Sequence, residues 1–166
     1  MNHNSWWDGL IPFYLNQKFF RQNARGMMVE NQLKKYKFFR RLGVFSINLS
    51  DARSSLRSLR YAVESMKREN SALYIYPQGE IVPFSTGNLQ FKKGIGWLAK
   101  QCPDADLVPV GIYIHTMRSD KPELHITAGK EVEVNRGESA DTINSELEEA
   151  LENILVEMVQ NIQPEP

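Results

Sequence analysis

Apolar positions along the 166-residue chain change spacing several times, and each change marks a new element. From Trp6 to about Lys18 they are dense and aromatic, with Pro12 near the start, which predicts a helix. Met27, Met28 and Val29 within 25–30 predict a short buried strand, and the basic stretch 31–42, closed by Gly43, a short helix. Val44 to Leu49 is β-branched and alternating, a strand. Ser50 and Asp51 suit an N-cap, and Leu56, Leu59, Ala62, Val63 and Met66 follow at helical spacing, so 51–69 is expected as a helix. The continuous run Ala72-Leu73-Tyr74-Ile75-Tyr76 suits a strand covered on both faces, at the centre of a sheet. A helix over 91–101 and a strand over 106–115, whose Pro109 suits either an edge position or the strand's first residues, come next. Short strands are expected at 124–128 and 131–134. Last, Ile143, Leu147, Leu151, Ile154, Leu155, Met158 and Ile162 recur at three, four and seven, so 140–162 is an amphipathic helix with an acidic outer face, ended by Pro164-Glu165-Pro166.

Strands and helices alternate for most of the length. The fold class is therefore α/β: one domain over 1–166, with a central mixed, largely parallel sheet flanked by helices and antiparallel additions toward the C-terminus. The chain is long enough, and at 42% hydrophobic apolar enough, to bury an ordinary core.

Charge adds a polarity that the formal net charge of zero conceals. Residues 1–100 carry 16 basic against 6 acidic side chains, +10; residues 101–166 carry 4 against 14, −10. Lys34, Lys35, Lys37, Arg40, Arg41, Arg53, Arg57, Arg60, Lys67 and Arg68 either gather into a face that attracts phosphate or form the solvated sides of two helices. The single cysteine, Cys102, and the polar start point to the cytoplasm, and no apolar run approaches the ~20 residues that cross a bilayer. His3, His115, His125 and Cys102 show no ligand spacing along the chain, so no metal is expected. No nucleic-acid motif accompanies the basic residues, and the aromatics gather around His3 instead of among the lysines, so no nucleic-acid partner is expected.

The first constellation with chemistry in it is His3-Asn4-Ser5-Trp6-Trp7-Asp8. A five-residue step on a continuous α-helix turns about 140°, which would separate His3 from Asp8. They meet only if His3 lies before the helix, and Ser5 with Asp8 three residues later is a capping-box pattern that puts Asp8 in the first turn, facing back. A carboxylate on one imidazole nitrogen leaves the other free as a general base. The alternative is a helix cap with an incidental histidine. A second constellation is the strand running into Tyr76-Pro77-Gln78-Gly79-Glu80, since ligands bind at strand ends in open α/β sheets; its bland reading is an ordinary turn. Lys92 and Lys93, beside a predicted helix start, are candidates to hold phosphate or are simply solvated.

In this order and spacing these blocks resemble the phospholipid/glycerol acyltransferase family, typified by lysophosphatidic acid acyltransferases. His3 to Asp8 is similar to the family's His-x-x-x-x-Asp motif, 43–48 to its second motif, Tyr76-Pro77-Gln78-Gly79 to its third, and Val108-Pro109-Val110 to its fourth. The likeness spans roughly residues 2–135. It implies a glycerol-phosphate-acyltransferase-like fold and an acyl-CoA or acyl carrier protein donor, with no further cofactor. It also implies O-acyl transfer to a lipid hydroxyl, with His3 as base and Asp8 as its orienter. Tyr76, Pro77, Gln78, Gly79 and Glu80 would hold the acceptor.

Three departures qualify the likeness. Gln78 stands where the family has mostly Glu, and Glu80-Ile81 where it has mostly Thr-Arg. Leu49 stands where an arginine is common, with Arg53 as a possible stand-in. Family members usually carry an apolar helical segment before the histidine, often the membrane anchor, and here Met1 stands just ahead of that motif: either the chain was trimmed or its start is unusual. The protein is expected in the cytoplasm and peripheral at the membrane, a membrane anchor on a full-length form being the alternative. Trp6, Trp7, Phe13, Tyr14, Phe19 and Phe20 would mostly pack in the core, the other roles being an acyl tunnel or contact with the bilayer interface. A catalytically impaired relative that binds lipid or acyl carrier is the alternative function.

Overall fold

Three strands, β1 (Asn23–Val29), β2 (Val44–Ile47) and β3 (Ser71–Tyr74), form a parallel sheet in the order β2-β1-β3 in the computed structural model of the chain, which describes residues 1–116 and 120–162. β1 lies at the centre, with Gly26 paired to Val44 on one side and to Tyr74 on the other. β3 was expected there and is instead the outer strand of the three. All four of its residues are half-buried, and lateral position is a matter of pairing, which a run of apolar residues does not report.

β4 (Val110–His115) and β5 (Glu123–Ala128) form a separate antiparallel pair, with Ile112 opposite Ile126. The chain between Lys130 and Val134 is not a strand. Its one ladder-like bond runs from Val132 N–H to Leu107 O (2.8 Å), and Val132 and Val134 spend their apolar side chains on the helical core instead.

Helices α1 (Ile11–Leu15), α2 (Glu30–Lys35), α3 (Ala52–Met66), α4 (Gly94–Gln101) and α5 (Ala140–Ile162) surround the sheets. The single helix expected over 6–18 is three pieces: a 3₁₀ turn at Trp6–Gly9, α1 with Pro12 in its first turn, and a π-helical turn at Asn16–Phe20. The helix expected over 31–42 likewise breaks at Tyr36 into α2 and a 3₁₀ stretch, Lys37–Leu42, that ends at Gly43 as predicted. Pro164-Glu165-Pro166 lies outside the described residues.

The stripe on α5 holds the larger core. Leu151, Ile154, Leu155, Met158 and Ile162 close over Leu89 with Phe84, Phe91 and Tyr113, while Ile143 and Leu147 meet Ala99. Each such side chain withdrawn from water contributes roughly 1.5–3 kcal/mol before the cost of ordering it. A second core joins Leu33, Phe39 and Val44 to Leu10, Phe13 and Met28 beneath the parallel sheet.

The acidic face of α5 is only partly a solvated one. Glu148 accepts from the N–H groups of Gln90 (2.6 Å) and Phe91 (3.2 Å), and Glu152 from Leu89 N–H (3.1 Å), so the helix ties down the loop that leads to α4. α4 approaches α5 closely because Gly96 has no side chain: a Cβ there would stand 2.0 Å from Ala140 O. Gly96→Ala is therefore expected to cost about 1–3 kcal/mol, or more if the helices cannot part. Urea unfolding would check this, and an unchanged midpoint would refute it.

The aromatic residues near the start do not go inside as expected. Phe13 packs in the core, but Trp6, Trp7 (63% exposed), Tyr14, Phe19 (70%) and Phe20 face solvent, because the inward side of this short stretch is already filled by Ile11, Pro12 and Phe13. Among the described residues no helix is long and apolar enough to cross a membrane.

Candidate active site

Residues 5–8 form the capping box that their spacing predicts. Ser5 caps the 3₁₀ turn, its side chain accepting from Trp7 N–H (3.2 Å), and Asp8, fully buried, reaches back. One Asp8 oxygen, Oδ2, accepts from the N–H groups of Asn4 and Ser5 (both 2.7 Å) and lies 3.2 Å from His3 Nδ1. The two backbone donors fix the carboxylate, and the carboxylate, which can only accept, places the ring hydrogen on Nδ1. Nε2 makes no hydrogen bond among the described residues, on a side chain that is 19% exposed. Asp8 Oδ1 is buried and has no hydrogen-bond partner among the described residues.

His3 is held from the other side by the loop after β3. Its N–H donates to Gln78 Oε1 (2.6 Å), its carbonyl accepts from Val82 N–H (3.0 Å), and its ring lies 4.5 Å from that of Tyr76. Tyr76 in turn donates its hydroxyl hydrogen to Asp8 O. The first and third sequence blocks, 75 residues apart, thus make one cluster.

Burial first, then the Asp8 carboxylate, push the Tyr76 phenol well above its ordinary 10.0. The unfolded chain gives up this proton near pH 10 while the folded chain keeps it. Tyr76 therefore contributes stability that is fully present below about pH 10 and declines as pH rises beyond it. Urea midpoints measured from about pH 8 to 11 should fall more steeply for the native chain than for Tyr76→Phe. Parallel curves would show that the phenol is not retained.

The turn at 76–79 closes through Gly79 N–H to Tyr76 O (3.0 Å), with Gly79 at φ +75, a conformation that disfavours any residue bearing a Cβ. Lys92 is fastened to this turn by its N–H to Pro77 O (2.8 Å), which is why α4 begins at Gly94 and not at Phe91. Leu49 and Lys92 flank Gly79 on its open side, each within about 3.5 Å of where a Cβ would be. A cleft of about 180 Å³ follows, lined among others by Gln78, Glu80, Val82, Asn88 and Lys92.

The other expected residues separate into those that join the cleft and those that do not. Glu80 stands in it, 3.7 Å from Lys92 Nζ. Lys93 is exposed and pairs with Asp141 (3.2 Å), directed toward α5. Arg53 sits exposed in the first turn of α3, where its N–H meets the Asp51 cap, and among the described residues no ion pair joins its side chain to His3, Asp8 or the cleft. Gln78, expected to touch the acceptor, is nearly buried and spends its side-chain oxygen on His3.

Sequence reasoning missed Asn2. Its side chain donates to Ile112 O and accepts from Ile112 N–H, both at 2.7 Å, so that one amide stands in for a neighbouring strand along the free edge of β4. Met1 N lies 3.2 Å from Ile75 O. The segment carrying His3 therefore fills the space between β3 and β4. Its burial beside the candidate base is a property of the fold that no spacing along the chain announces.

A family model described as Acyltransferase matches residues 1–119. No curated protein and no solved structure matches the chain.

Proposed function

Because the chain belongs to the phospholipid/glycerol acyltransferase family and is thus an acyltransferase, we propose that it moves a fatty acyl group from an acyl thioester to a hydroxyl. The thioester is on coenzyme A or acyl carrier protein, and the hydroxyl on a lysophospholipid, glycerol phosphate or related lipid. The observation that carries this reading is His3, its Nδ1 held 3.2 Å from buried Asp8 and its Nε2 unengaged.

In this reaction Nε2 takes the proton of the acceptor hydroxyl as its oxygen attacks the thioester carbonyl. Asp8 stabilises the imidazolium that forms. The tetrahedral intermediate collapses with cleavage of the carbon–sulfur bond, and the departing thiolate takes the proton back from Nε2, so the enzyme ends as it began. No covalent acyl-enzyme is needed.

The cleft beside Gly79 is the acceptor's place in this scheme. At about 180 Å³ it is below the ~300–1,000 Å³ of pockets that enclose a whole ligand, which fits a polar head whose chains stay at the surface. Lys92 is the cation that lines it and replaces Arg53 as the candidate for an anionic head. The exposed Trp6, in ring contact with Tyr36 (5.5 Å) and Phe39 (6.3 Å), continues into the stretch bearing Lys34, Lys35, Arg40 and Arg41, with Lys35 lying over the Tyr36 ring. Aromatic rings beside basic side chains suit an anionic membrane surface, and peripheral contact there would bring lipid acceptors to the cleft.

The test is acceptor-dependent release of free thiol from acyl-CoA by the purified chain, with glycerol phosphate, a lysophospholipid and a neutral glycolipid offered in turn. Release with at least one of them is the expected result. Acyl-CoA binding without release for any acceptor would favour instead the impaired, lipid-binding relative, for which the altered third motif at Gln78 and Glu80 speaks.

A further inference from the structure

His115, Glu123 and His125 lie outside the cleft, and their positions in the sequence gave no reason to group them. The β4–β5 ladder does so: it pairs His115 with Glu123 and Tyr113 with His125, and residues two apart on a strand share a face. Their reactive atoms converge. His115 Nε2 is 3.0 Å from His125 Nε2 and 3.9 Å from Glu123 Oε2, which is 3.6 Å from His125 Nε2.

Three points with sides of 3.0, 3.6 and 3.9 Å lie on a circle whose radius, the product of the sides over four times the enclosed area, is about 2.05 Å. Bonds from zinc to imidazole nitrogen and carboxylate oxygen are ~2.0–2.2 Å. An ion near the centre of that circle would thus meet all three atoms at bonding distance before any side chain moves. The imidazole planes are 14° apart with centroids 4.8 Å from each other, a stacked pair whose Nε2 atoms come within 3.0 Å; binding an ion requires the rings to rotate so that both Nε2 lone pairs face it. A hydrogen bond between two neutral imidazoles explains the 3.0 Å contact alone. It does not call for a carboxylate within 4 Å of both nitrogens.

We infer that His115, Glu123 and His125 form a binding site for a divalent transition-metal ion, zinc first among them by its preference for nitrogen and carboxylate ligands. The His115 side chain is 4% exposed and closes the inner side, while His125 (32%) and Glu123 (34%) stand partly in solvent. A bound ion would clip β4 to β5 three residues beyond Ile112, the residue that grips Asn2. The inference does not rest on the acyl-transfer reading, and its test uses no substrate.

The intact chain is titrated with Co²⁺, followed by visible absorption, and with Zn²⁺, followed by calorimetry. One ion per chain is expected, with Zn²⁺ displacing Co²⁺ and raising the melting temperature. His125→Ala and Glu123→Gln, both at partly exposed positions, should weaken binding at least about 100-fold with circular dichroism unchanged. Cys102→Ser should bind as the native chain does. Absence of saturable binding, binding that survives His125→Ala, or binding that is lost with Cys102 would each overturn the site.

Discussion

His3→Ala should slow acyl transfer by about 10²–10⁴-fold, the usual contribution of a positioned general base, while leaving the protein folded. The ring is partly exposed and serves no core. The bonds that shape the segment come from the backbone of residue 3, to Gln78 and Val82, and from Asn4 and Ser5 to Asp8, and all of them survive the substitution. The loss should fall on the chemical step, with acceptor KM little changed, and added imidazole should restore part of the rate. Asp8→Asn is the companion variant. Its amide oxygen can still accept from Asn4 and Ser5, but it no longer carries the charge that favours Nδ1–H and stabilises the imidazolium, so a comparable fall in kcat is expected. Thiol release by His3→Ala at the native rate would remove His3 from the mechanism.

Asn2→Ala should be the most damaging truncation to stability near the site. Ile112 is fully buried, and among the described residues its N–H and C=O are satisfied on that edge of β4 by Asn2 alone. Truncation orphans both, at roughly 1–3 kcal/mol each and so about 2–6 kcal/mol together. Activity should fall with it although His3 and Asp8 are untouched, because the segment that carries the base loses its hold on the second sheet. Asn2→Asp keeps an acceptor for Ile112 N–H but sets a buried carboxylate oxygen against Ile112 O, where the amide had donated at 2.7 Å. A loss of stability at least as large as that of the alanine variant is expected for it at neutral pH. Unfolding midpoints and turnover measured on the same preparations check both variants, and an alanine variant as stable as the native chain would show that Asn2 is not the fastener described.

Local geometry was written in the chain wherever neighbours in sequence decide it. Ser5 and Asp8 form their capping box because three residues separate them, and the stripe of α5 is buried because its apolar positions fall on one face. Gly43 closes its helical turn for the same kind of reason, a left-handed residue where the helix must stop. Tyr36 marks the limit of this logic. The stretch before Gly43 reads as one helix, but Leu33 and Phe39 are both drawn into the core, and the break at Tyr36 accommodates the two.

What lies between distant residues needed the tertiary structure. The sequence by itself determined an α/β domain, the pairing of His3 with Asp8 and a turn at Pro77, because each depends on periodicity or on contacts within a few residues. Only the folded molecule decided that β1 and not β3 is central, that Gln78 and Tyr76 hold His3 and that Lys92 lines the cleft while Arg53 does not. It likewise decided that Asn2 completes the edge of β4 and that His115, Glu123 and His125 converge. Strand order and register are fixed by hydrogen bonds and packing between segments tens of residues apart, and side chains that meet across such pairings share no spacing that a linear pattern could disclose.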